Sequence, residues 1–252
     1  MPFHLVECRS PNHDARPAAV DMLVLHYTGM KTAQEALARL CDPAAKVSAH
    51  YTIDTHGCVY RHVPEERRAW HAGASFWAGE ANVNGRSIGI ELVNPGHEFG
   101  YVPFTDDQIA SLIELAQGIV ARHAIPPARV LGHSDVAPAR KTDPGELFPW
   151  QRLAENGIGL WPAILHPPLE GRGRQQKHDS AFAGRGSKFA EQISGRGDIV
   201  ANLARFGYGV PPDVDVPLEA VVTAFQRHFR PLCINGIADD ECAAILAGLF
   251  AR

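Results

Sequence analysis

The residues best able to do chemistry crowd into one stretch, 132–145, which reads GHSDVAPARKTDPG. It holds His133, Asp135, Arg140, Lys141 and Asp143 among the breakers Pro138, Pro144 and Gly145. The two prolines remove backbone donors and push the residues before them towards extended geometry, so an irregular loop is expected here rather than a helix. A loop of this kind, just after the short apolar strand around Val130 and Leu131, lets side chains converge on one point. His133 and Asp143 bring a nitrogen and an oxygen donor of the kind that hold zinc. Lys141 brings a cation able to meet a developing negative charge. A third ligand and a base must come from elsewhere in the chain.

Two apolar runs offer them. Residues 21–27, DMLVLHY, read as a buried strand that ends in His26. A metal-competent residue at the end of a buried strand is where α/β folds place sites; a hydrogen-bonded core histidine is the alternative. Residues 87–93, SIGIELV, put Ile88, Ile90 and Leu92 on one face and Glu91 on the other. A carboxylate in a central strand is expensive unless it is paired or functional. Partly desolvated, Glu91 would have a raised pKa and serve as a general base; on an edge strand it would simply face solvent. His50, inside the β-rich run 47–53, either lines the site or is structural. The stretch 68–79, RAWHAGASFWAG, has no helical or strand period and reads as a loop. Its Trp70, His71 and Trp77 either wall a sugar- or peptide-binding surface or cover the core. Substrate contacts are therefore sought at His50, Trp70, His71 and Asn94.

The elements that must position these residues alternate between strand and helix. Helical spacing covers 32–40, stopped by Asp42-Pro43, and 105–123, where Thr105 and Gln108 form a capping-box pattern. The runs 47–53 and 58–60 flank the turn residues Asp54-Thr55-His56-Gly57 and predict a hairpin. A strand at 129–131 and a short helix at 148–156 complete an α/β domain over residues 1–160, a mixed central sheet flanked by helices. Residues 161–188 are rich in Pro, Gly, Arg and Gln and read as a linker or inserted segment. Residues 189–252 recover helical patterns at 198–206, 218–229 and 239–250, enough for a small three-helix domain without a catalytic cluster.

Composition narrows the classes. A chain of 252 residues with a net charge of −4 is not basic enough to argue for nucleic acid. It has no apolar run of membrane-spanning length. Five cysteines without a CxxC pair favour free thiols in a reducing compartment. The N-terminal residues lack the basic-then-apolar layout of a secretory signal.

Three stretches, LHYTG, RAWHAG…SIGIEL and GHSDVAPARKTDPG, together resemble the zinc-dependent N-acetylmuramoyl-L-alanine amidases of the type-2 amidase family. The resemblance runs in order over about residues 20–160. The segments AFQRHFRP and NGIADDEC in the tail are similar to the helical peptidoglycan-binding domain that follows the amidase in one branch. The resemblance implies one zinc per chain, held by His26, His133 and Asp143, with Glu91 as the catalytic carboxylate and Lys141 as the catalytic lysine. Related phage amidases and peptidoglycan recognition proteins carry a cysteine at the position of Asp143. Those that lose this ligand are commonly binders without activity. This chain keeps the whole set; its departure is the longer segment before the tail.

The chemistry implied is hydrolysis of the amide between the lactyl group of N-acetylmuramic acid and L-alanine, in peptidoglycan or in muropeptides, anhydro forms included. Glu91 would take a proton from the attacking water and return it to the leaving nitrogen, while Lys141 faces the carbonyl oxygen. The partner expected is thus sacculus or its fragments, met by a monomer. Localisation is expected in the cytoplasm; the wall-binding likeness of the tail points instead to the periplasm or outer membrane, reached with a leader since removed. The alternatives are a non-catalytic peptidoglycan recognition module and a zinc peptidase acting on the stem, against which the lack of an HExxH helix argues.

Overall fold

A computed structural model of the protein describes residues 4–162 and 196–251. Eight strands, β1 (Leu5–Glu7), β2 (His13–Ala15), β3 (Met22–Tyr27), β4 (Tyr51–Ile53), β5 (Val59–Arg61), β6 (Arg67–Ala69), β7 (Ser87–Leu92) and β8 (Val130–Gly132), form two sheets. The larger has the order β1-β5-β4-β7-β3-β8, and β2 pairs with β6 in a small second sheet. Strands β4, β7, β3 and β8 run parallel, β5 turns back antiparallel to β4, and β1 joins parallel to β5. The mixed sheet is the one expected.

The centre of this sheet is apolar on both faces, which is why β3 reads as a continuous run rather than an alternation. Leu23 and Leu25 pack with Ile88, Ile90 and Leu92 of β7 against one face of helix α4 (Asp106–His123), where Ile109, Leu112, Ala116 and Ile119 are buried. Met22 and Val24 point the other way and join Leu131, Val136 and the C-terminal helices in a second core. Each fully buried aliphatic chain of this kind stabilises by about 1.5–3 kcal/mol. The two-residue period then sends His26 to the Met22 side, at the strand's C-terminal end.

Helix α1 (Ala33–Cys41) starts at the predicted place. Thr32 caps it, and Glu35 reaches back to complete a reciprocal box. At α4 the expected capping box is only half present. The Thr105 hydroxyl accepts from the Gln108 backbone N–H, but the Gln108 amide donates to the carbonyls of Ile53 and Val93 instead. It thereby ties α4 to the ends of β4 and β7, a buried need that outweighs the local cap. The helix closes on Ala124 in the left-handed region.

The hairpin of β4 and β5 is as predicted but shorter, with Asp54 Oδ1 accepting from the N–H groups of His56 and Cys58 in the turn. Three readings change. Residues 68 and 69, the start of the stretch expected as loop, belong to β6, which pairs with β2. The strands β1 and β2 themselves carry too few residues to leave a sequence period. A single helical turn, α5 (His133–Val136), opens the stretch expected to be irregular throughout. Asp135 makes this turn possible by accepting the Gly132 N–H at 2.7 Å, and Pro138 comes too late to prevent it.

Two other short helices, α2 (Val83–Arg86) and α3 (Gly96–Phe99), flank β7, and α6 (Trp150–Glu155) ends the first part of the chain. The tail forms the three expected helices, α7 (Arg196–Phe206), α8 (Leu218–Phe229) and α9 (Asp240–Phe250). Their buried Leu203, Phe225, Ile245 and Leu246 share one hydrophobic core with Met22, Val24 and Trp77. The linker or insert read at 161–188 lies almost wholly outside the described residues. No described helix is long and apolar enough to cross a membrane.

Candidate active site

Parallel strands bring the candidate residues together at one end of the sheet. In the β3·β7 register His26 pairs with Glu91, and β8 beside β3 delivers His133 one residue after its end. The loop after α5 returns Asp143 to the same point, where its carbonyl accepts the Ser134 N–H at 2.9 Å.

Three donor atoms meet there. His26 Nδ1 and His133 Nδ1 lie 2.9 Å apart, and each lies 3.0 Å from Asp143 Oδ2. All three residues are buried. Two imidazole nitrogens and a carboxylate oxygen at mutual contact is the donor set of a three-ligand zinc site. The hydrogen bonds on the far side of each ring decide whether the inner nitrogens are free. His133 Nε2 donates to the Ala72 carbonyl at 3.0 Å, so its Nδ1 carries the lone pair. For His26 the sense runs through a chain. The Ser87 hydroxyl donates to the Val83 carbonyl, so Ser87 Oγ accepts from His71 Nε2, and His71 Nδ1 accepts from His26 Nε2 at 3.0 Å. His26 Nδ1 is therefore also unprotonated, and both rings present lone pairs to the centre. The residues fit a metal ion.

The electrostatics agree. Burial, followed by the proximity of His133, pushes the His26 pKa down to about 4, which keeps the ring neutral. Burial opposes ionisation of Asp143, and a proton or positive charge at the His133 and His26 nitrogens, the place a metal cation would take, is what holds the carboxylate well below its usual range. Glu91 goes the other way. Burial and then the negative charge of Asp143 raise its pKa well above the ordinary value, with Lys141 opposing. Its Oε2 is buried with no hydrogen-bond partner among the described residues.

These groups open into a cleft of about 530 Å³. Glu91, Lys141 and Asp143 line it together with Tyr27, Arg39 and Trp70. Lys141 makes no ion pair among the described residues, so its ammonium is available to a ligand. The Tyr27 hydroxyl bonds Thr142 Oγ1 at 2.9 Å and steadies the loop between Lys141 and Asp143.

Of the four residues read as substrate contacts, two reach the cleft and two do not. Trp70 and His71 line it, His71 with its Nδ1 turned to His26. His50 is fully buried, with Nδ1 accepting from the Gly89 N–H and Nε2 enclosed by the Arg16 guanidinium and the Arg67 carbonyl. Burial lowers its pKa to about 3, so it is a neutral strut between strands. Asn94 is buried too. It donates to the Val102 carbonyl and accepts from the Gly96 N–H, fixing the turn after β7. Trp77 is core, packed edge-on to Phe206 and Tyr208.

The sequence reading gave no role to four residues that matter here. A Cβ on Gly89 would sit 2.5 Å from the His71 ring, so only glycine lets that ring lie on the strand; a glycine inside an apolar strand is the signal for such an approach. Ser87 sets the tautomer of His71. Arg140 donates to the carbonyls of Ala72 and Ala74 and clamps the two site loops together. Asp135 is wholly buried and accepts from Gly132 N–H, the Tyr208 hydroxyl and His228 Nδ1, each at 2.7 Å. The tail helices are thus bonded to the turn that carries His133.

Comparison with known proteins shows the family. Residues 16–146 match the family model described as N-acetylmuramoyl-L-alanine amidase. The N-acetylmuramoyl-L-alanine amidase AmiD of Escherichia coli is 40% identical over 249 residues, covering 92% of this chain and 83% of that protein. The structure of AmiD in complex with the substrate anhydro-N-acetylmuramic acid-L-Ala-D-gamma-Glu-L-Lys superposes with a TM-score of 0.76 at 37% identity, covering 94% of this chain and 92% of that one. AmpDh3 of Pseudomonas aeruginosa, in complex with anhydromuramic pentapeptide, gives a TM-score of 0.75 at 35% identity, covering 93% of each chain. From the matched family model and the near full-length likeness to AmiD, the chain belongs to the N-acetylmuramoyl-L-alanine amidase family.

Proposed function

We propose that this member is a zinc amidase that cuts the bond between the lactyl group of anhydro-N-acetylmuramic acid and the L-alanine of a stem peptide. The observation that carries the reading is the triangle of His26 Nδ1, His133 Nδ1 and Asp143 Oδ2, with Glu91 in register beside it. The anhydro-muropeptides bound to AmiD and AmpDh3 support the substrate class. Zinc held by the three ligands would supply Lewis acidity, lowering the pKa of a water and polarising the scissile carbonyl.

The chain's own groups do the rest. Glu91 Oε2, buried and without a hydrogen-bond partner among the described residues, takes a proton from the attacking water. Its raised pKa lets it hold that proton and then release it to the leaving L-alanine nitrogen, which cannot depart as an anion. The Lys141 ammonium meets the carbonyl oxygen as it becomes negative. His71 and the Ala72 carbonyl orient the two imidazoles throughout. Trp70 offers an apolar wall for the sugar or the first stem residue. The tail helices brace the His133 turn through Asp135, and a second role in holding wall fragments accounts for their likeness to a peptidoglycan-binding module.

The test is mass spectrometry of products after the zinc-loaded protein meets anhydro-muramyl and reducing-end muramyl tripeptides. Free peptide beginning at L-alanine, with an intact lactyl group on the sugar, is the expected result, faster from the anhydro form. Cleavage inside the stem would make the chain a peptidase, and binding without cleavage would make it a recognition module.

A further inference from the structure

Away from the cleft, Cys8, Cys41 and His62 form a second cluster of reactive side chains at the junction of β1, α1 and β5. The two thiols face each other with Sγ···Sγ at 3.3 Å. Both cysteines are half-buried and so open to a reagent.

Hydrogen bonds to backbone groups, none of them involving the thiols, hold them there. The Cys8 N–H donates to the Arg61 carbonyl at 2.9 Å, and the Cys8 carbonyl accepts from His62 Nδ1 at 2.6 Å. Cys41 is the last residue of α1 and is bracketed by two anchors. The Ser10 hydroxyl donates to the Leu40 carbonyl at 2.5 Å, and the Asn12 amide donates to the Asp42 carbonyl at 2.8 Å. Both anchors come from the segment that follows Cys8, so the two chains are pinned together on either side of the pair.

The cluster contains a possible metal ligand, but its hydrogen bonds argue against a metal. His62 Nδ1 spends its proton on the Cys8 carbonyl, and Nε2 accepts from the Thr52 hydroxyl at 2.8 Å. Burial lowers the His62 pKa, so the ring is neutral and has no lone pair to offer. Two pinned thiols without a third ligand are a disulfide precursor.

We propose that Cys8 and Cys41 are a redox pair that closes to an intramolecular disulfide by exchange with a small-molecule or protein disulfide. The Cys8 thiolate attacks one sulfur of the oxidant, forming a mixed disulfide and expelling a first thiolate. The Cys41 thiol then loses its proton to solvent and attacks the Cys8 sulfur, expelling the second. The cysteine pair gives up two electrons, and the oxidant's disulfide is reduced to two thiols. Burial and the neighbouring Cys8 push the Cys41 thiol up to about 12, so it acts second, once the mixed disulfide has removed the charge on Cys8. The bond fastens the end of α1 to the sheet edge, and Ala36, Arg39 and Leu40 of α1 line the cleft. Oxidation therefore stiffens one wall of the site.

The test oxidises the full-length protein with oxidised glutathione, alkylates the remaining thiols and maps the peptides by mass. The expected result is a Cys8–Cys41 linked peptide with three alkylated cysteines left of the five. The thermal midpoint should rise by roughly 5–10 °C, as expected for closing a separation of 33 residues. Cys8→Ser should abolish both effects, and Cys58→Ser should leave both. Alkylation of Cys8 and Cys41 after oxidation, or glutathione adducts that never resolve, would overturn the proposal. So would a second equivalent of bound zinc that Cys8→Ser removes. None of these outcomes depends on whether the amidase reading is right.

Discussion

Glu91 and His26 are directly paired across the β3·β7 ladder, so a carboxylate and an imidazole leave the sheet side by side. The imidazole turns its Nδ1 to Asp143 and His133, while Glu91 Oε2 stays buried with no hydrogen-bond partner among the described residues. The proposed ligand and the proposed base thus share one register, and a slip of one residue between the strands would put them on opposite faces of the sheet.

Glu91→Gln keeps the shape and removes the proton carrier. We expect kcat to fall by roughly 10²–10⁴ while metal content per chain, measured by elemental analysis, stays the same. Lys141→Ala should lower kcat by about 10²–10³ with little change in KM. A Glu91→Gln enzyme with near wild-type kcat would remove Glu91 from proton transfer.

His71 should matter to the metal before it matters to the substrate. His71→Ala breaks the chain from Ser87 to His26 and lets His26 adopt the wrong tautomer. Zinc affinity, measured by competition with a chelator, should weaken by about 10–100-fold. Ser87→Ala should show the same effect in smaller measure. Unaltered affinity in both variants would mean that the relay does not set the His26 tautomer.

The tail should prove to be part of the site's foundation. Tyr208→Phe removes one of three donors to the buried Asp135 and should cost about 0.5–1.5 kcal/mol in urea unfolding. Asp135→Ala strands the Tyr208 hydroxyl, His228 Nδ1 and the Gly132 N–H together, and should cost about 3–5 kcal/mol. Equal stability of the two variants would deny Asp135 this role.

Glu65 sets a pH limit on stability. Burial alone would raise its pKa, but hydrogen bonds from Arg122, His123 and Tyr51 lower it to about 2 from 4.5. Its folded pKa lies below the unfolded one, so its contribution is complete above about pH 4.5 and is lost as pH falls towards 2. Discounted for solvent screening, the shift is worth about 1–2 kcal/mol. The urea midpoints of wild type and Glu65→Gln should therefore differ at pH 7, draw together below about pH 4.5 and converge only near pH 2. A gap that does not change with pH would assign the stabilisation to packing.

Much of the fold is legible in the sequence because its period is strong. The β3 and β7 runs, the α4 face and the three tail helices each have enough residues to reveal a pattern. The strands β1, β2 and β6 have three residues each and depend on partners far along the chain, so nothing local marks them. The α5 turn is one turn long and leaves no period, and the Asp135 carboxylate that caps it also accepts from Tyr208 and His228, far along the chain.

The sequence by itself determined the types and order of the site residues, His26, Glu91, His133, Lys141 and Asp143, and the apolar faces that bury the strands bearing them. These are properties of residue chemistry and spacing along the chain. Only the tertiary structure decided which neighbouring histidines and asparagines belong to the site. His50 and Asn94 are as polar in sequence as His71, but backbone groups of distant segments occupy their hydrogen-bonding atoms, whereas Gly89 leaves the space that lets the His71 ring reach His26. Such satisfaction depends on which strands are adjacent, and adjacency is not written in the spacing of either residue.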